Sequence, residues 1–476
     1  MRRIPLRKTK RLGLLLVSAA LLAAALPVAA DELSTGREIY EEELRVQLDQ
    51  QKPVTQDVGF DGGGWFVFGL FNYDDAVGQR HRTLRQFQLR GWAALNIEGV
   101  HKAYIRGLLN WDDWNAGDNP YSFRGDDFHE RIERAWYQFD HGQMLRNQTG
   151  EQPAVDFRFK IGRDYTRIGS AFVLSLPMDL IQFDVATGDW AFKALLGKPV
   201  EQTRNIDESP LVATHQDRCF FAVETRYFGF ERHQPYAYYL GNWDHTSPER
   251  PDFGQDYDYT SHYIGLGMEG NVLHPNVRYL IELVGEMGKT YSRNTVTDRE
   301  DICAMAIDAQ LEYVDKGPMK PRFGVEYMWG SGDDDRQTSS SATVGGNRRG
   351  TTDHAFNSFG FRDTGVAFAP RVSNLHIYAM GASCFPLETM EWFRKMEVGT
   401  KVFFYHKSRS SGAISDTTAT DSARWVGWEW DVFCDWRITS DLAWTMRYGF
   451  FDPGNAFDRS DDTCRQFLYT GLVWSF

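Results

Sequence analysis

The sequence lacks any long apolar run after its first thirty residues. No later segment offers about 18 consecutive apolar residues, the length that a membrane-spanning helix needs. A helical membrane protein is therefore excluded. Cysteine is also scarce, since the chain has five, odd in number and without metal-ligand spacing: Cys219, Cys303, Cys384, Cys434 and Cys464. We interpret them as small apolar fillers within strands; the alternative is a disulfide pair formed in an oxidising compartment.

A recognisable catalytic set is missing as well. His215, His262 and His406 are present, but no Ser/His/Asp group and no pair of carboxylates accompanies them at a diagnostic spacing. Acidic runs at 333–335 and 461–462 are candidates for binding divalent cations, although such runs are usually solvated loops. We therefore expect a protein that is not an enzyme and that has no cofactor, no metal site and no nucleic-acid partner.

The N-terminus carries the features of a secretory signal peptide. Six basic residues precede an apolar run at 12–26, and small residues at 28–30 suit cleavage. A retained membrane anchor is the alternative interpretation. Removal of residues 1–30 takes away six positive charges and no negative ones, so the formal charge falls from −13 to −19. We expect residues 1–30 to be the signal peptide, 31–60 a helical periplasmic segment and 61–476 the main domain.

In the main domain, apolar and polar residues alternate with a period of two. The segment at 423–438 reads A-R-W-V-G-W-E-W-D-V-F-C-D-W-R-I, which places a Trp-rich row and a charged row on opposite faces of a strand. A soluble strand would bury the Trp row in a core, whereas a transmembrane β-barrel would turn it to lipid and keep the charges in a wet lumen. One strand does not choose between these two structures.

The number and spacing of such segments favours the barrel. About eighteen are present, each roughly ten residues long as a tilted transmembrane strand requires, starting near 64, 84, 102, 131, 156, 178, 189, 217, 235, 260, 276, 302, 321, 373, 392, 425, 441 and 465. Long links follow odd-numbered strands (111–128, 331–353, 408–422), and mostly short links follow even-numbered ones (186–188, 316–320, 438–440). The sequence thus predicts an all-β, antiparallel transmembrane barrel of about 18 strands, with long extracellular loops and short periplasmic turns.

The chain ends in a strand whose last residue, Phe476, is aromatic. Such an end resembles the signal by which the outer-membrane assembly machinery recognises its clients. We therefore expect this machinery and outer-membrane lipid among the partners, and the outer membrane as the location.

The residues that alternate with the apolar positions are expected to face the lumen and form its wall. On this basis the early strands are rich in Arg and Lys, and the later strands are mixed or acidic. In one interpretation these cations only pair with acids on adjacent strands. In the other, a surplus of cations attracts anionic solutes, as rings of Arg or Lys do in anion-selective pores. We favour the second, because the early strands have few lumen carboxylates in this pattern.

Seven short motifs stand out along the chain. They are R-A-W-Y-Q-F at 134–139, F-K-I-G-R at 159–163, S-N-L at 373–375, F-Y-H-K at 404–407, V-G-W-E-W-D-V at 426–432, R-Y-G-F-F-D-P-G at 447–454 and the terminal W-S-F. In their order and spacing they resemble the alginate export porin family of Gram-negative outer membranes. The resemblance implies an eighteen-stranded barrel whose constricted, Arg-lined lumen passes a linear polyuronate to the exterior. It also implies that Arg134, Arg163 and Arg447 are pore arginines.

The sequence departs from this family at three places. The link at 438–440 is far too short for the long periplasmic gating turn that the family has there, and the link at 111–128 is also shorter. Ala135 stands where the family has an acid. By strict alternation Arg163 would face lipid, so an inward Arg163 requires a bulge near Gly162.

The predicted function is an outer-membrane pore for passive export of an anionic exopolysaccharide, an alginate-like polyuronate. The alternative is a general or anion-selective porin for small solutes. A periplasmic polysaccharide-synthesis scaffold is a further candidate partner. The predicted pore-lining residues are Arg90, Lys102, Arg106, Arg134, Arg158, Arg163, Lys193, Arg322, Glu326, Lys401, Glu429, Asp431, Arg447 and Arg465.

Overall fold

The computed structural model describes residues 58–75, 80–119, 126–200, 217–245, 259–291, 299–336, 339–340, 347–458 and 463–476. Within these ranges lie one helix, α1 (His141–Thr149), and eighteen strands. The strands are β1 Val58–Asp75, β2 Arg80–Ile97, β3 His101–Trp114, β4 Asp126–Asp140, β5 Val155–Ile168, β6 Leu174–Thr187, β7 Trp190–Pro199, β8 Arg218–Tyr227, β9 His233–Asp244, β10 Tyr259–Asn271, β11 Val277–Tyr291, β12 Arg299–Val314, β13 Arg322–Gly330, β14 Leu375–Cys384, β15 Met396–Lys407, β16 Trp425–Arg437, β17 Leu442–Pro453 and β18 Arg465–Ser475.

The eighteen strands form one closed antiparallel barrel. Each strand pairs with its neighbours in sequence, and β1 pairs with both β2 and β18. Closure leaves no strand edge with unpaired backbone groups, which is the condition for a sheet in lipid. The predicted barrel and its strand number are confirmed. The expected signal peptide and the expected helix at 31–60 lie outside the described residues. In the part of the chain that is described, no helix is long and apolar enough to cross a membrane.

Alternation sorts the side chains into an outer and an inner row. On β3, Leu109 and Trp111 are 43% and 48% exposed, whereas Asn110 and Asp112 between them are 0% and 7% exposed. The outer row is therefore apolar and accessible, and the inner row is polar and covered. This is the arrangement of a barrel that presents apolar side chains to lipid.

The connections at the two ends differ, as predicted. One end has short turns, including the link of β16 to β17 at 438–441, and it carries α1 between β4 and β5. Asp140 caps α1 by accepting a hydrogen bond from the Gln143 N–H at 2.7 Å, and Gly150 ends it in the left-handed region with φ of 76°. Short turns mark the periplasmic end of outer-membrane barrels. The other end carries the long links.

Two segments from the long-loop end fold into the lumen. The first is the end of the β5–β6 hairpin, residues 164–177, which we term the inner hairpin. Pairing of β4 with β5 stops at Ala135 and Arg163, and pairing of β6 with β7 stops at Met178 and Pro199, so this part of the hairpin leaves the wall. Gly162, with φ of 129°, lies at the bend; a Cβ there would lie 2.2 Å from the Ala135 carbonyl oxygen.

The second segment is the link of β13 to β14, residues 331–374, which we term the inner loop and which is described except for 337–338 and 341–346. It pairs with the inner hairpin, because the Phe359 N–H donates to the Val173 carbonyl at 2.8 Å and the Phe359 carbonyl accepts from the Ser175 N–H at 3.1 Å. Phe356 and Phe359 of the loop pack with Phe172 of the hairpin in a buried apolar cluster. The two segments therefore form one body inside the barrel.

Candidate pore-lining site

Acidic side chains of the wall hold the inner loop. The Glu429 carboxylate accepts hydrogen bonds from the backbone N–H groups of Val366, Ala367 and Phe368 at 2.6, 2.7 and 2.8 Å. Gly365, with φ of 109°, precedes them, and a Cβ there would lie 2.6 Å from Glu429 Oε1. Hydrogen bonds to an ionised acceptor are the strong ones. Glu429, predicted from the sequence as pore lining, therefore anchors the loop.

Two glutamates of β11 have the same role. Glu282 accepts hydrogen bonds from two tyrosine hydroxyls of β9, at 2.5 and 2.7 Å, and from the Ser170 N–H of the inner hairpin at 2.8 Å. Glu286 accepts from the Asn357 N–H of the inner loop at 3.0 Å. Neither carboxylate is more than 2% exposed. These acids fix the inner hairpin and the inner loop to one side of the lumen.

Arg362 joins the two inner segments to the wall. Its guanidinium donates to the Asp308 carboxylate at 2.7 Å and to the Ser170 carbonyl at 2.8 Å. Burial alone lowers the pKa of Arg362, but the carboxylates of Asp308, Glu326 and Glu282 outweigh it and raise the pKa above its ordinary value. The side chain is therefore held charged between the inner hairpin and the wall.

Other residues predicted as pore lining lie on this acidic side. Lys401 donates to Asp363 of the inner loop at 2.5 Å, and Asp431, buried, lies opposite Lys401 in the register of β15 and β16. Glu326 accepts from a glutamine amide of β12 at 2.9 Å. Lys193 donates to a backbone carbonyl of the inner hairpin at 3.2 Å. All four face the lumen, and two of them, Lys401 and Lys193, touch the inner segments.

Cations dominate the opposite side. Glu133 lies among three arginines, with Arg90 Nε at 2.9 Å, Arg106 Nε at 2.7 Å and Arg131 Nη2 at 3.8 Å from its carboxylate oxygens. The guanidinium groups of Arg90 and Arg106 lie 5.8 and 5.6 Å from the ring centre of Trp65 on β1. Three cations thus share one carboxylate, and this cluster has a formal excess of positive charge.

A β-bulge places Glu133 in this cluster. Arg106 lies opposite Arg134, but the next residue of β3, Gly107, lies opposite Ile132, so Glu133 is the extra residue on β4. Strict alternation would have turned it to lipid. Sequence reasoning missed it for that reason.

A second cluster lies where the inner hairpin leaves the wall. Asp164 accepts from Lys160 Nζ at 2.7 Å and lies 3.5 Å from Arg134 Nη1. The premise that the early strands have few lumen carboxylates is therefore wrong, since Asp164 and Glu133 are both there. Even so, among the ion pairs described, three arginines surround Glu133, and Arg134 and Lys160 share Asp164.

Arg163 does not line the lumen as predicted. The pairing of β5 with β6 runs without a register shift and puts Arg163 opposite Asp179, in the row of the exposed Ile161. Its guanidinium binds the Asp179 carboxylate at 2.7 and 2.9 Å and donates to the Ile132 carbonyl at 3.2 Å. The bend at Gly162 redirects the whole hairpin inward and does not redirect the Arg163 side chain alone. The hydrogen bond of Arg163 to Ile132 connects the bend to β4.

The last strands add two arginines to the cationic side. Arg447 binds the Asp435 carboxylate through two nitrogens, at 2.9 and 2.8 Å. Arg465 donates to Asp416, in the link of β15 to β16, at 2.5 Å. Since β18 pairs with β1, these two ion pairs lie beside the cationic side across the seam.

Three predicted cations lie toward the short-turn end. Lys102 stands in the same row as Arg106, and Arg158 in the same row as Lys160. Arg322 lies 3.7 Å from Glu397 across the lumen face of neighbouring strands. The structure therefore gathers the early cations and Arg447 and Arg465 on one wall. It leaves Lys193, Arg322 and Lys401 on the other side.

A family model described as "Alginate export" matches residues 177–470, which is more than half of the chain. The chain belongs to the alginate export family. Among curated protein sequences, none matches. Family and barrel together indicate that this member of the family is an outer-membrane pore.

Solved structures with the same fold are outer-membrane porins of Pseudomonas aeruginosa. OccK5 (OpdH) has a TM-score of 0.54 at 10% identity, covering 88% of this chain and 98% of its own. OccK11 (OpdR) has a TM-score of 0.52 at 11% identity, with 87% and 96% covered. OpdK, solved with vanillate, has a TM-score of 0.53 at 10% identity, with 88% and 100% covered. At such identities the likeness concerns the fold alone.

Proposed function

We propose that this pore exports an anionic polysaccharide, a polyuronate, by passive passage along the basic wall. The observation that carries the proposal is the distribution of charged side chains in the lumen. Acids on β8, β11, β12 and β16 bind the inner hairpin and the inner loop, whereas the Glu133 and Asp164 clusters keep more cations than carboxylates. An anion passing beside the inner segments would meet that excess positive charge.

The cations also stand at successive depths. Lys102 and Lys160 lie near the short-turn end, Arg106 and Arg134 lie farther along their strands, and Arg465 begins β18 at the long-loop end. A linear polyuronate carries about one negative charge per sugar, so it needs several weak contacts in sequence, each able to release the chain. Partial neutralisation by Glu133 and Asp164 favours such release, because a fully unpaired guanidinium would hold a carboxylate more tightly.

The first test is secretion. Deletion of the gene should trap or abolish an acidic exopolysaccharide without changing the uptake of small sugars or phosphate. In the restored strain, the double reversal Arg106→Glu and Arg134→Glu should reduce secretion far more than it reduces chloride conductance, since a polymer must pass every site in turn. Lys289→Glu, which reverses a charge on the outer face of β11, is the matched control. Secretion that survives both the deletion and the double reversal would establish a small-solute porin instead.

Planar-bilayer recordings give the second test. The unmodified pore should prefer anions, and Arg134→Ala together with Arg447→Ala should weaken that preference. The measurement is the reversal potential in a salt gradient. A cation-selective parent pore would contradict the electrostatic basis of the proposal.

A further inference from the structure

Three aromatic rings line the lumen below the basic clusters. Trp92 on β2, Tyr104 on β3 and Trp136 on β4 each lie two residues nearer the short-turn end than an arginine of the same row, namely Arg90, Arg106 and Arg134. All three are only half-buried. Large aromatic side chains on the wet face of a barrel are unlike the lipid-facing aromatics at its rims, so this group has another role.

The three rings form a continuous series, which we term the aromatic ladder. The ring centres of Trp92 and Tyr104 are 6.0 Å apart, and those of Tyr104 and Trp136 are 5.7 Å apart, with 21° between the planes in both pairs. Directly stacked rings would approach to about 3.5–4.0 Å. The rings are therefore offset, and each neighbour leaves part of a face uncovered.

Glycines border the ladder on both sides. Gly63 of β1 lies opposite Trp92, and a Cβ there would lie 3.3 Å from the indole Nε1. Gly162 of β5 lies opposite Trp136. A side chain at Gly63 would crowd the Trp92 indole, and a side chain at Gly162 would meet the backbone of Ala135 and Trp136. The same Gly162 starts the bend of the inner hairpin.

Cations flank the rings. Lys160 Nζ lies 4.7 Å from the ring centre of Trp136, and Lys102 stands two residues before Tyr104 in its row. A uronate sugar has two chemical faces, a carboxylate and a patch of C–H groups on its ring. The electron-rich face of an aromatic ring attracts such C–H groups, and an ammonium group pairs with the carboxylate. Rings and ammonium groups side by side match both faces at once.

We propose that the aromatic ladder is a saccharide-binding subsite that receives successive pyranose rings as the polymer enters from the periplasmic end. This inference rests on the proposed function and deepens it. Arginines alone recognise any polyanion, whereas the ladder recognises a sugar. The three rings lie on neighbouring strands at a similar depth, so together they offer one broad aromatic surface to the sugar rings that pass it.

Blocking of single channels tests the inference. A hexauronate added on the periplasmic side should interrupt the current of the parent pore, and Trp136→Ala and Tyr104→Ala should each shorten the blocked time about tenfold. Trp136→Phe, which keeps an aromatic face, should recover most of it. Polyglutamate of equal charge has no sugar rings, so its blocked time should not change in the two Ala variants. Arg134→Ala should shorten the blocked times of both polymers.

Tyr137→Ala is the matched control, because Tyr137 follows Trp136 in the chain but faces outward. Gel mobility before and after heating and unblocked conductance establish that each variant has folded, and Trp136→Phe keeps the test valid if an Ala variant fails to fold. Equal blocked times for the hexauronate in parent, Trp136→Phe and the Ala variants, with a shorter time in Arg134→Ala, would overturn the ladder and leave the export function standing. A parent pore that chloride crosses but no hexauronate blocks would overturn the export function itself.

Discussion

At the scale of single residues, the sequence was sufficient wherever plain alternation holds and insufficient wherever it breaks. The period of two predicts Arg90, Arg106 and Arg134 in one lumen row, and the structure brings Arg90 and Arg106 to Glu133 and Arg134 to Asp164. Glu133 was missed because a β-bulge moves it to the inner row. The sequence around Glu133 does not predict that bulge. Asp164 was within reach, since it continues the row of Lys160 by simple alternation.

Glu133 gives the prediction that belongs to this scale. Glu133→Gln removes the carboxylate that Arg90, Arg106 and Arg131 share. We expect a higher ratio of anion to cation permeability, measured from reversal potentials, because one negative charge leaves the basic wall. Breaking a buried ion-pair group costs about 3–5 kcal/mol, so the temperature at which heating changes gel mobility should also fall.

Asp301→Asn is the control for this variant, since Asp301 pairs with Lys289 at an exposed site. Asp301→Asn should change neither the ratio of anion to cation permeability nor the temperature at which heating changes gel mobility. An unchanged permeability ratio in Glu133→Gln would mean that the three arginines do not contribute to the field that a passing anion meets.

At the scale of elements, the strands were predictable and the inner segments were not. The largest difference in a strand start is six residues, at β1, where 64 was expected and Val58 is observed. Local patterning suffices there, because each strand carries its own alternation. The contact of Ser170 with Glu282 joins residues 112 apart in the chain, and no local pattern encodes such a pairing. Glu429 was therefore predicted only as a pore-lining residue, and its hydrogen bonds to the inner loop were not foreseen.

The bend of the inner hairpin gives one prediction at this scale. Gly162→Val introduces a Cβ that would lie 2.2 Å from the Ala135 carbonyl oxygen, at a φ of 129° that residues with side chains rarely adopt. The hairpin should be displaced from its place in the lumen, and single-channel conductance should rise. Gly91→Ala is the control, because a Cβ at Gly91 meets nothing within 4 Å. Conductance equal to that of the parent in a folded Gly162→Val barrel would contradict this account of the bend.

The hydrogen bonds between Glu429 and the inner loop give a second prediction at this scale. Glu429→Gln replaces a carboxylate that accepts three backbone N–H groups with an amide that has one acceptor oxygen. Hydrogen bonds to charged groups contribute about 1.5–3 kcal/mol each, so the loop should be released more often. Protease added from the long-loop side should cleave within 347–374 faster than in the parent. Glu130→Gln, at an exposed position of β4, should leave the cleavage rate unchanged, and an equal rate in both variants would count against the anchor.

At the scale of the whole molecule, closure decides whether there is a pore at all. Strand β18 pairs with β17 on one side and with β1 on the other, and the backbone of the last residue, Phe476, exchanges two hydrogen bonds with Gly64 at 3.0 Å. Without β18, both neighbouring strands would expose unpaired backbone groups to hydrocarbon, at a cost of several kcal/mol for each group. The two ends of the chain's described part must therefore meet before the barrel is stable in a membrane.

This closure can be separated from recognition by the assembly machinery. Refolded into detergent without residues 1–30, the parent should be mostly β-structure by circular dichroism and should migrate differently on gels before and after heating. Removal of residues 465–476 should abolish that difference. Phe476→Ala keeps every backbone pair of β18, and the Phe476 side chain is 66% exposed, so in detergent the variant should behave as the parent does.

In cells, Phe476→Ala should reach the outer membrane in smaller amount, because the terminal aromatic side chain is what the machinery is expected to recognise. A truncated chain that still changes its mobility on heating would show that β18 is not needed for closure. Normal amounts of Phe476→Ala in the outer membrane would remove the terminal residue from the recognition signal.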